Sequence, residues 1–221
     1  MKKPRILLIH NSYQYPGGED VVFSMERSLL INNGHEVFTY TDNNCRVQSL
    51  GKFNSAIQTV WSQPSYKSIK ETLCSVKPDV VHFHNTFLLI SPSAYYACAE
   101  KKIPVIQTLH NYRLLCPNAY FFRNGKICED CLGKFFPFPG IKHKCYRNSF
   151  SETLVVGTML GFHNLIQTWK TKVTRYIALT EFSQSKFTQS GISETKISIK
   201  PNFVWDNNVT PQNNTRNFAL Y

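Results

Sequence analysis

The amino-acid sequence predicts an α/β fold built on a doubly wound parallel sheet. Short aliphatic runs alternate with segments of helical periodicity, which is the pattern of repeated βαβ units. Two of the runs, 79–83 (DVVHF) and 104–109 (PVIQTL), are almost continuously apolar, as expected for strands that helices cover on both faces. With 221 residues, the chain can bury one large core. These observations favour a single Rossmann-like α/β domain.

The first βαβ unit is well defined in the sequence. Residues 5–10 (RILLIH) predict the first strand, which leads into a turn at Gly17 and Gly18. Apolar residues then recur at helical spacing, and Gly34 ends this helix because glycine suits the left-handed position after a helix. Residues 35–40 (HEVFTY) predict the second strand.

Later elements continue the alternation. Residues 53–76 predict one or two helices with a break near Pro64, and the motif Ser149-x-x-Glu152 predicts a helix start. The helix after this motif is expected to run to about Trp169. Further helices are predicted over 91–101 and 181–189, and further strands over 79–83, 104–109, 176–179 and 196–199.

Net charge and hydropathy limit the classes of binding partner and the location that the sequence predicts. The net charge of +11 predicts a polyanionic partner, which could be nucleic acid, anionic lipid headgroups or a phosphorylated ligand. No helix-turn-helix or RNA-binding signature accompanies the charge, so no nucleic-acid partner is expected. The sequence has no apolar run long enough to span a membrane and no secretory signal, and a cytoplasmic location is therefore expected.

A second indication of the binding partner comes from residues 134–147, which are rich in aromatic and basic residues. Phenylalanines interleaved with lysines suit the interface of an anionic bilayer, and a peripheral location at the inner membrane surface would follow. The same composition suits single-stranded nucleic acid. It also suits an aromatic mini-core with a solvated basic rim. The sequence alone leaves these interpretations open.

Two features place a ligand at the ends of the strands. Gly17 and Gly18 would let backbone amides approach an anion such as a pyrophosphate at a helix N-terminus, although a tight turn explains them equally well. The surrounding residues are not a GxGxxG fingerprint, so neither NAD nor FAD is expected. The pairs His84-Asn85 and His110-Asn111 follow two predicted strands, where open parallel sheets bind ligands; His82 lies just before them.

Four cysteines cluster in a stretch that has no clear periodicity, 111–148. Cys116, Cys128, Cys131 and Cys145 could hold a structural Zn²⁺, which would order a loop of this length. His143 is a substitute ligand in this interpretation. The other interpretation is that four reduced cysteines pack a lid.

With these features in place, the sequence resembles family 4 of the glycosyltransferases, the retaining GT-B enzymes. The matching stretches follow one another in the right order over nearly the whole chain. They are RILLIHNSYQYPGGEDVV, DVVHFHN, PVIQTLHNYRLLCP with the later CEDC and KC, YIALTEFSQSKFTQSGI and KISIKPNFV.

The resemblance implies a domain organisation. In such enzymes the N-terminal domain binds the acceptor, the C-terminal domain binds the nucleotide-sugar donor, and catalysis occurs in the cleft between them. Residues 1–205 would then be the N-terminal, acceptor-side domain with an inserted loop at 111–148. Residues 206–221 would be the interdomain linker and the start of the donor domain. The donor-domain signatures of the family have no counterpart in these 221 residues, so the chain alone is expected to lack activity.

The resemblance also implies roles for individual residues. His110 would line the catalytic cleft and contact the transferred sugar, and Gly17 and Gly18 would lie near the donor phosphates. The implied acceptor is a saccharide or lipid-linked saccharide in surface polysaccharide biosynthesis. The alternative is a non-catalytic acceptor- or membrane-binding half that works with a separate donor-domain chain. The substrate-binding residues expected besides the glycines are His84, Asn85, Asn111 and Glu181.

Overall fold

The structure, a computed structural model, describes residues 3–15 and 17–205. Its centre is a six-stranded parallel sheet with the order β2-β1-β3-β4-β7-β8, and a separate antiparallel hairpin pairs β5 with β6. In chain order the strands are β1 (Arg5–Ser12), β2 (Glu36–Asn43), β3 (Val80–Asn85), β4 (Val105–Leu109), β5 (Phe122–Arg123), β6 (Lys126–Ile127), β7 (Arg175–Ala178) and β8 (Ile197–Ile199).

Helices connect and cover these strands. In chain order they are α1 (Gly18–Asn32), α2 (Arg46–Val60), α3 (Gln63–Val76), α4 (Ser93–Glu100), α5 (Phe138–Lys142), α6 (Phe150–Leu165), α7 (Thr168–Thr171) and α8 (Glu181–Gln189), with a 3-10 turn at Glu194–Lys196. The prediction of a Rossmann-like, doubly wound parallel sheet is confirmed.

The alternation of side chains along β1 explains why helices cover both faces of the sheet. Ile6 and Leu8 point to one face, where they pack with Phe23 of α1. Leu7 and Ile9 point to the other face and join a larger core that α3, α4 and α6 complete. Successive side chains of a strand point to opposite faces, so a strand covered on both sides must be apolar throughout.

The strand order determines where a ligand can bind. The chain runs from β1 outward to β2 and then returns to place β3 on the other side of β1. In doubly wound sheets such a reversal leaves a crevice at the carboxyl ends of the two central strands. The crevice is therefore expected where β1 and β3 end.

Most predicted elements are present, with shifted ends. Ser149 caps α6 by accepting a hydrogen bond from the Glu152 N–H at 3.3 Å, as the capping motif predicted. Helix α6 ends at Leu165, and the short α7 covers the rest of the predicted helix. Helix α2 begins at Arg46, before the predicted start at residue 53. Gly51, with a φ of 73°, interrupts the helix, and this is why its first turns were not predicted.

The insert 111–148 has little regular structure, as predicted; it contains only the β5–β6 hairpin and the five-residue α5. It packs on α6 at two glycines. A Cβ on Gly157 would lie 2.7 Å from Ile141, and a Cβ on Gly161 would overlap the ring of Phe136. The absence of side chains at these two positions lets the insert lie directly on the helix.

Residues 206–221, predicted to contain a linker and the start of a second domain, lie outside the described residues. Among the helices of the described part, none is both long enough and apolar enough to cross a membrane.

We predict that Gly161→Ala lowers the free energy of unfolding by about 1–3 kcal/mol, because the added methyl group must displace Phe136. The intrinsic helix preference for alanine would by itself stabilise the protein by up to about 1 kcal/mol. Urea unfolding measures the difference, and Thr158→Ala on the exposed side of the same helix is the control. A Gly161→Ala protein as stable as the control would contradict this packing.

Candidate functional site

The carboxyl edge of the sheet carries a group of polar side chains. Strands β1, β3 and β4 are neighbours and parallel, so the residues at and just after their carboxyl ends lie side by side. These residues include Asn11, His84, Asn85 and His110. The edge therefore brings together both His-Asn pairs of the sequence and the turn that carries Gly17 and Gly18.

Three buried asparagines hold this edge in place. Asn11 donates to the Oδ1 of Asn44 at 2.9 Å and accepts from the Leu89 N–H at 2.9 Å. Asn85 donates to the Asn11 carbonyl at 2.8 Å and accepts from the Phe87 N–H at 3.0 Å. The Asn85 amide is thus committed to the backbone around it. Its predicted role in substrate binding stays a prediction.

A histidine cluster lies directly beneath the edge. Because side chains alternate along each strand, His10, His82 and His84 all point to the α1 face and are buried there. His84 Nδ1 lies 3.1 Å from Nε2 of the half-buried His110, and His84 Nε2 lies 3.4 Å from a Glu26 carboxylate oxygen. His84 therefore sits behind His110 and links it to a buried acid.

These imidazoles are neutral at physiological pH. Burial lowers the pKa of His82 to about 3 and that of His110 to about 4. Burial, together with the neighbouring histidines, lowers the pKa of His84 well below its ordinary value. A neutral imidazole has one N–H donor and one acceptor nitrogen. His110 can therefore offer a hydrogen bond to a ligand oxygen without carrying a charge.

Glu26 finds its counter-ion in Lys200, whose ammonium lies 2.6 Å from one carboxylate oxygen. Ligand atoms of Glu26, His82 and His84 all lie within 4.8 Å of one another, a spacing that could suit a metal ion. However, His82 Nε2 is already hydrogen-bonded to Thr108 at 2.8 Å, and the lysine neutralises the acid. We therefore interpret the group as a buried ion-pair network and assign no metal to it.

The N-terminus of α1 is capped by the carboxylate of Asp20. Asp20 accepts from the Gly17 N–H at 2.8 Å and contacts His10 Nε2 at 2.9 Å. Although partial burial acts to raise it, these two partners hold the pKa of Asp20 below its usual value. Neither Gly17 nor Gly18 has a positive φ, and a Cβ on Gly18 would meet no atom within 4 Å. The open space beside Gly18 is room that a ligand could fill.

Asn111 is tied to the same helix. Its amide donates to Glu19 at 2.5 Å, and the Tyr13 hydroxyl donates to the other oxygen of that carboxylate at 3.0 Å. Burial raises the pKa of Glu19. The turn after β1, the first turn of α1 and the start of the insert are thus joined by one carboxylate.

An open cleft of about 540 Å³ lies in front of this edge. Its walls come from the turns after β1, β2, β3 and β4 and from the end of the insert. Aromatic rings and one half-buried arginine dominate the lining. The principal lining residues are Tyr13, Tyr15, Phe87, Arg113, Tyr120 and Tyr146.

Arg113 is the residue of this cleft that sequence reasoning missed. Its guanidinium lies 4.5 Å from the ring centre of Phe87 and 5.0 Å from that of Tyr146, and it donates to the Pro117 carbonyl. Burial lowers the pKa of Arg113, but an arginine stays charged in proteins. Its position three residues after His110 indicated that it lies near the sheet edge. The sequence does not show which aromatic rings surround it.

Glu181, also predicted to bind substrate, lies in the first turn of α8, just after β7 and exposed. It shares the carboxyl edge of the sheet. Within residues 3–15 and 17–205, no hydrogen bond or ion pair links it to the other predicted site residues, and its role stays a prediction.

The four predicted metal-binding cysteines converge. Cys116, Cys128, Cys131 and Cys145 line one small cavity of about 10 Å³ within the insert. Across the described part of the chain, the one group of three or more potential ligands within 4.8 Å of one another is that of Glu26. No three of the four sulfurs therefore approach one another that closely.

No known family model matches the chain, and no curated protein matches it. Solved structures similar to it include UDP-GlcNAc 2-epimerase from Methanocaldococcus jannaschii (14% identity, TM-score 0.48, covering 88% of this chain and 45% of that one). Others are Anabaena Alr3699/HepE in complex with UDP (15%, 0.44, 90% and 44%) and the lipopolysaccharide outer core galactosyltransferase WaaB (13%, 0.43, 88% and 44%). The chain spans less than half the length of each. Similarity at this level assigns no activity to it.

We predict that acid destabilises the protein through this histidine cluster. The folded-state pKa values of His82 and His110 lie near 3 and 4, below the unfolded value of about 6.5. Between these values the unfolded chain binds more protons, so stability falls as pH decreases from 6.5 towards 4. Each histidine contributes up to about 1.4 kcal/mol per pH unit.

Urea unfolding at several pH values measures this loss, and nitrogen NMR of the imidazoles identifies its source. At pH 5.5 the rings of His82, His84 and His110 should be neutral. Titration of all three near pH 6.5 would contradict the buried cluster.

Proposed function

We propose that this chain is the acceptor-side half of a glycosyltransferase of the retaining GT-B type, family 4, and that it works with a donor-binding half. The observation that carries the proposal is the 540 Å³ cleft with its aromatic wall and Arg113. Arg113 also lines a smaller pocket of about 40 Å³, which contains His110. The sequence resemblance supports the same assignment.

The lining of the cleft suits a saccharide. Ring faces such as those of Phe87 and Tyr146 can pack against the apolar faces of a pyranose, while Gln14 offers an amide to its hydroxyl groups. Binding sites commonly combine apolar walls with a few polar groups in this way. An acceptor sugar held here would present a hydroxyl group towards the sheet edge.

Arg113 suits a phosphate on the acceptor. A guanidinium offers five N–H donors in a fork that matches phosphate oxygens, and only part of this capacity is used by the Pro117 carbonyl. The exposed Arg147 lines the same cleft and adds positive charge. A lipid-linked saccharide, whose first sugar carries a phosphate or pyrophosphate, combines both chemistries. This acceptor would fit a role in surface polysaccharide biosynthesis.

His110 and the glycine turn would form the boundary with the donor. The open space beside Gly18 lies at a helix N-terminus, which favours negative charge, although Glu19 and Asp20 in the same first turn already supply carboxylates. The neutral His110 would donate a hydrogen bond to the transferred sugar. The remaining donor contacts would come from the other half, and rapid transfer requires both substrates held in register.

A second candidate function, membrane docking, rests on helix α6. Its exposed side carries Phe150, Leu154, Phe162 and Leu165, with exposed fractions of 54%, 40%, 37% and 66%. Phe135 and Phe138 of the insert are also exposed beside this helix, since Asn164 donates to the Phe135 carbonyl. An apolar stripe of this kind is unusual on a surface that faces only water.

The charges around the stripe favour an anionic bilayer as its partner. Residues 132–172 contain six lysines and arginines but a single acidic residue, Glu152. Basic residues beside an apolar helix surface are typical of interfacial membrane binding. Docking through α6 would bring the cleft to a lipid-linked acceptor, and the two candidate functions are therefore compatible.

We predict that the purified 221-residue chain transfers no sugar at a measurable rate from nucleotide-sugar donors to lipid-linked acceptors. The physical reason is the loss of donor contacts and of a closed cleft. Product formation from radiolabelled donors measures this, and addition of a donor-half chain should restore transfer. Robust transfer by the chain alone would refute the half-enzyme proposal.

We predict that Arg113→Met weakens binding of a short-chain prenyl pyrophosphate sugar by about tenfold or more, because a charge-assisted contact is lost. Arg113→Lys should recover only part of the affinity, since a lysine lacks the planar fork. Calorimetric titration measures the affinities, and the urea midpoint of each variant checks its folding. Arg147→Met, at the exposed rim, should have a smaller effect. Equal affinity of all four proteins would exclude Arg113 as the phosphate contact.

We predict that the double variant Leu154→Ser/Phe162→Ser lowers binding to vesicles containing phosphatidylserine by at least about tenfold. The control is Val21→Ser, at an exposed apolar position on α1, which covers the other face of the sheet. Co-sedimentation at two salt concentrations measures the binding, which should weaken with salt. Unchanged sedimentation of the double variant would show that α6 does not touch the bilayer.

A further inference from the structure

Four thiols from separate points of the insert converge on one cavity within it. Cys116 and Cys131 are buried, and Cys128 and Cys145 are half-buried. All four line one cavity, whose volume of about 10 Å³ suits a single water molecule or ion. We propose that these thiols bind one structural Zn²⁺ as a tetrathiolate site, and that this site holds the wall of the cleft in place.

The local backbone presents two of the ligands as a pair. Cys128 directly follows the β5–β6 hairpin, and its N–H donates to the Phe121 carbonyl at 2.8 Å. After Cys131 the chain turns back at Gly133, which has a φ of 70° and so favours glycine. A Cys-x-x-Cys unit on a tight turn is a common half of a zinc site. Cys116 and Cys145 supply the other half.

Zn²⁺ is bound by thiolates, so its binding must release the thiol protons. When Zn²⁺ binds, four S–H protons leave to solvent and four Zn–S bonds form, so the site acquires a net charge of −2. Arg123, beside Cys145, favours this negative charge.

The sulfurs must draw together around the ion. A tetrahedral Zn²⁺ with Zn–S bonds of about 2.3 Å holds its sulfurs about 3.8 Å apart. In the described chain no three of them lie mutually within 4.8 Å. The half-buried Cys128 and Cys145 stand on irregular segments, which leaves room for small rotations of their side chains.

The proposed site is joined to the walls of the cleft by sequence neighbours. Cys116 precedes Pro117, whose carbonyl accepts from Arg113, and Cys145 precedes Tyr146, which packs on the same guanidinium. Glu129, inside the Cys-x-x-Cys unit, pairs with Lys186 of α8 at 2.7 Å. Zinc would therefore fix the ring that stacks on Arg113 and anchor the insert to the domain. This inference is independent of whether the chain is a glycosyltransferase.

The test is the metal content of the full chain, purified without chelators and under reducing conditions. We expect about one Zn²⁺ per chain, and a Co²⁺-substituted protein with the absorption bands of tetrahedral thiolate coordination. Cys116→Ser and Cys131→Ser should each reduce retained zinc at least about tenfold. Cys45→Ser and Cys74→Ser, at exposed cysteines outside the insert, should retain it fully.

If the serine variants do not fold, removal of zinc from the wild-type chain with a chelator tests the same proposal. Removal of zinc should make four additional thiols reactive towards a maleimide, and added Zn²⁺ should protect them again. The proposal is overturned if the reduced chain holds no zinc and takes up none. It is also overturned if the insert variants keep a full equivalent, or if mass spectrometry finds the four thiols paired as disulfides.

Discussion

The buried amides of Asn11, Asn44 and Asn85 hold the edge on which the candidate site is built. Asn11 links the ends of β1 and β2 and accepts from two backbone N–H groups of the segment after β3, while Asn85 links β3 back to β1. A buried polar group is costly unless it is hydrogen-bonded, so these amides specify one arrangement of three loops. Because the loops cannot shift independently, the cleft in front of them has a defined shape. The positions of Tyr13, Phe87 and Arg113 follow from it.

The fold could be predicted from the sequence because the apolar runs that mark strands and the residues that mark helix ends are both local signals. Alternating apolar runs identified the strands, and Gly34 and Ser149 marked the end and start of helices correctly. The start of α2 was missed since Gly51 breaks the helical period, and the end of α6 was placed too late. Residues after strands could likewise be assigned to the carboxyl edge, because all parallel strands end there.

The roles of individual residues could not be predicted in the same way, because they depend on contacts between distant segments. Asn85 looked like a ligand-binding residue, but its amide is used by the backbone. His84 looked accessible, yet strand alternation turns it towards Glu26 and places it behind His110. Arg113 became a candidate only when the structure placed the rings of Phe87 and Tyr146 next to its guanidinium. No periodicity in the sequence contains such information.

The central claim is that the cleft at the carboxyl edge binds the acceptor. A crystal structure of the chain soaked with a short-chain prenyl pyrophosphate sugar tests it most directly. The proposal predicts a sugar against the aromatic wall and a phosphate on Arg113, with a hydroxyl group of the acceptor facing the sheet edge. A ligand bound elsewhere on the domain, or a nucleotide sugar that fills this cleft in its place, would contradict it.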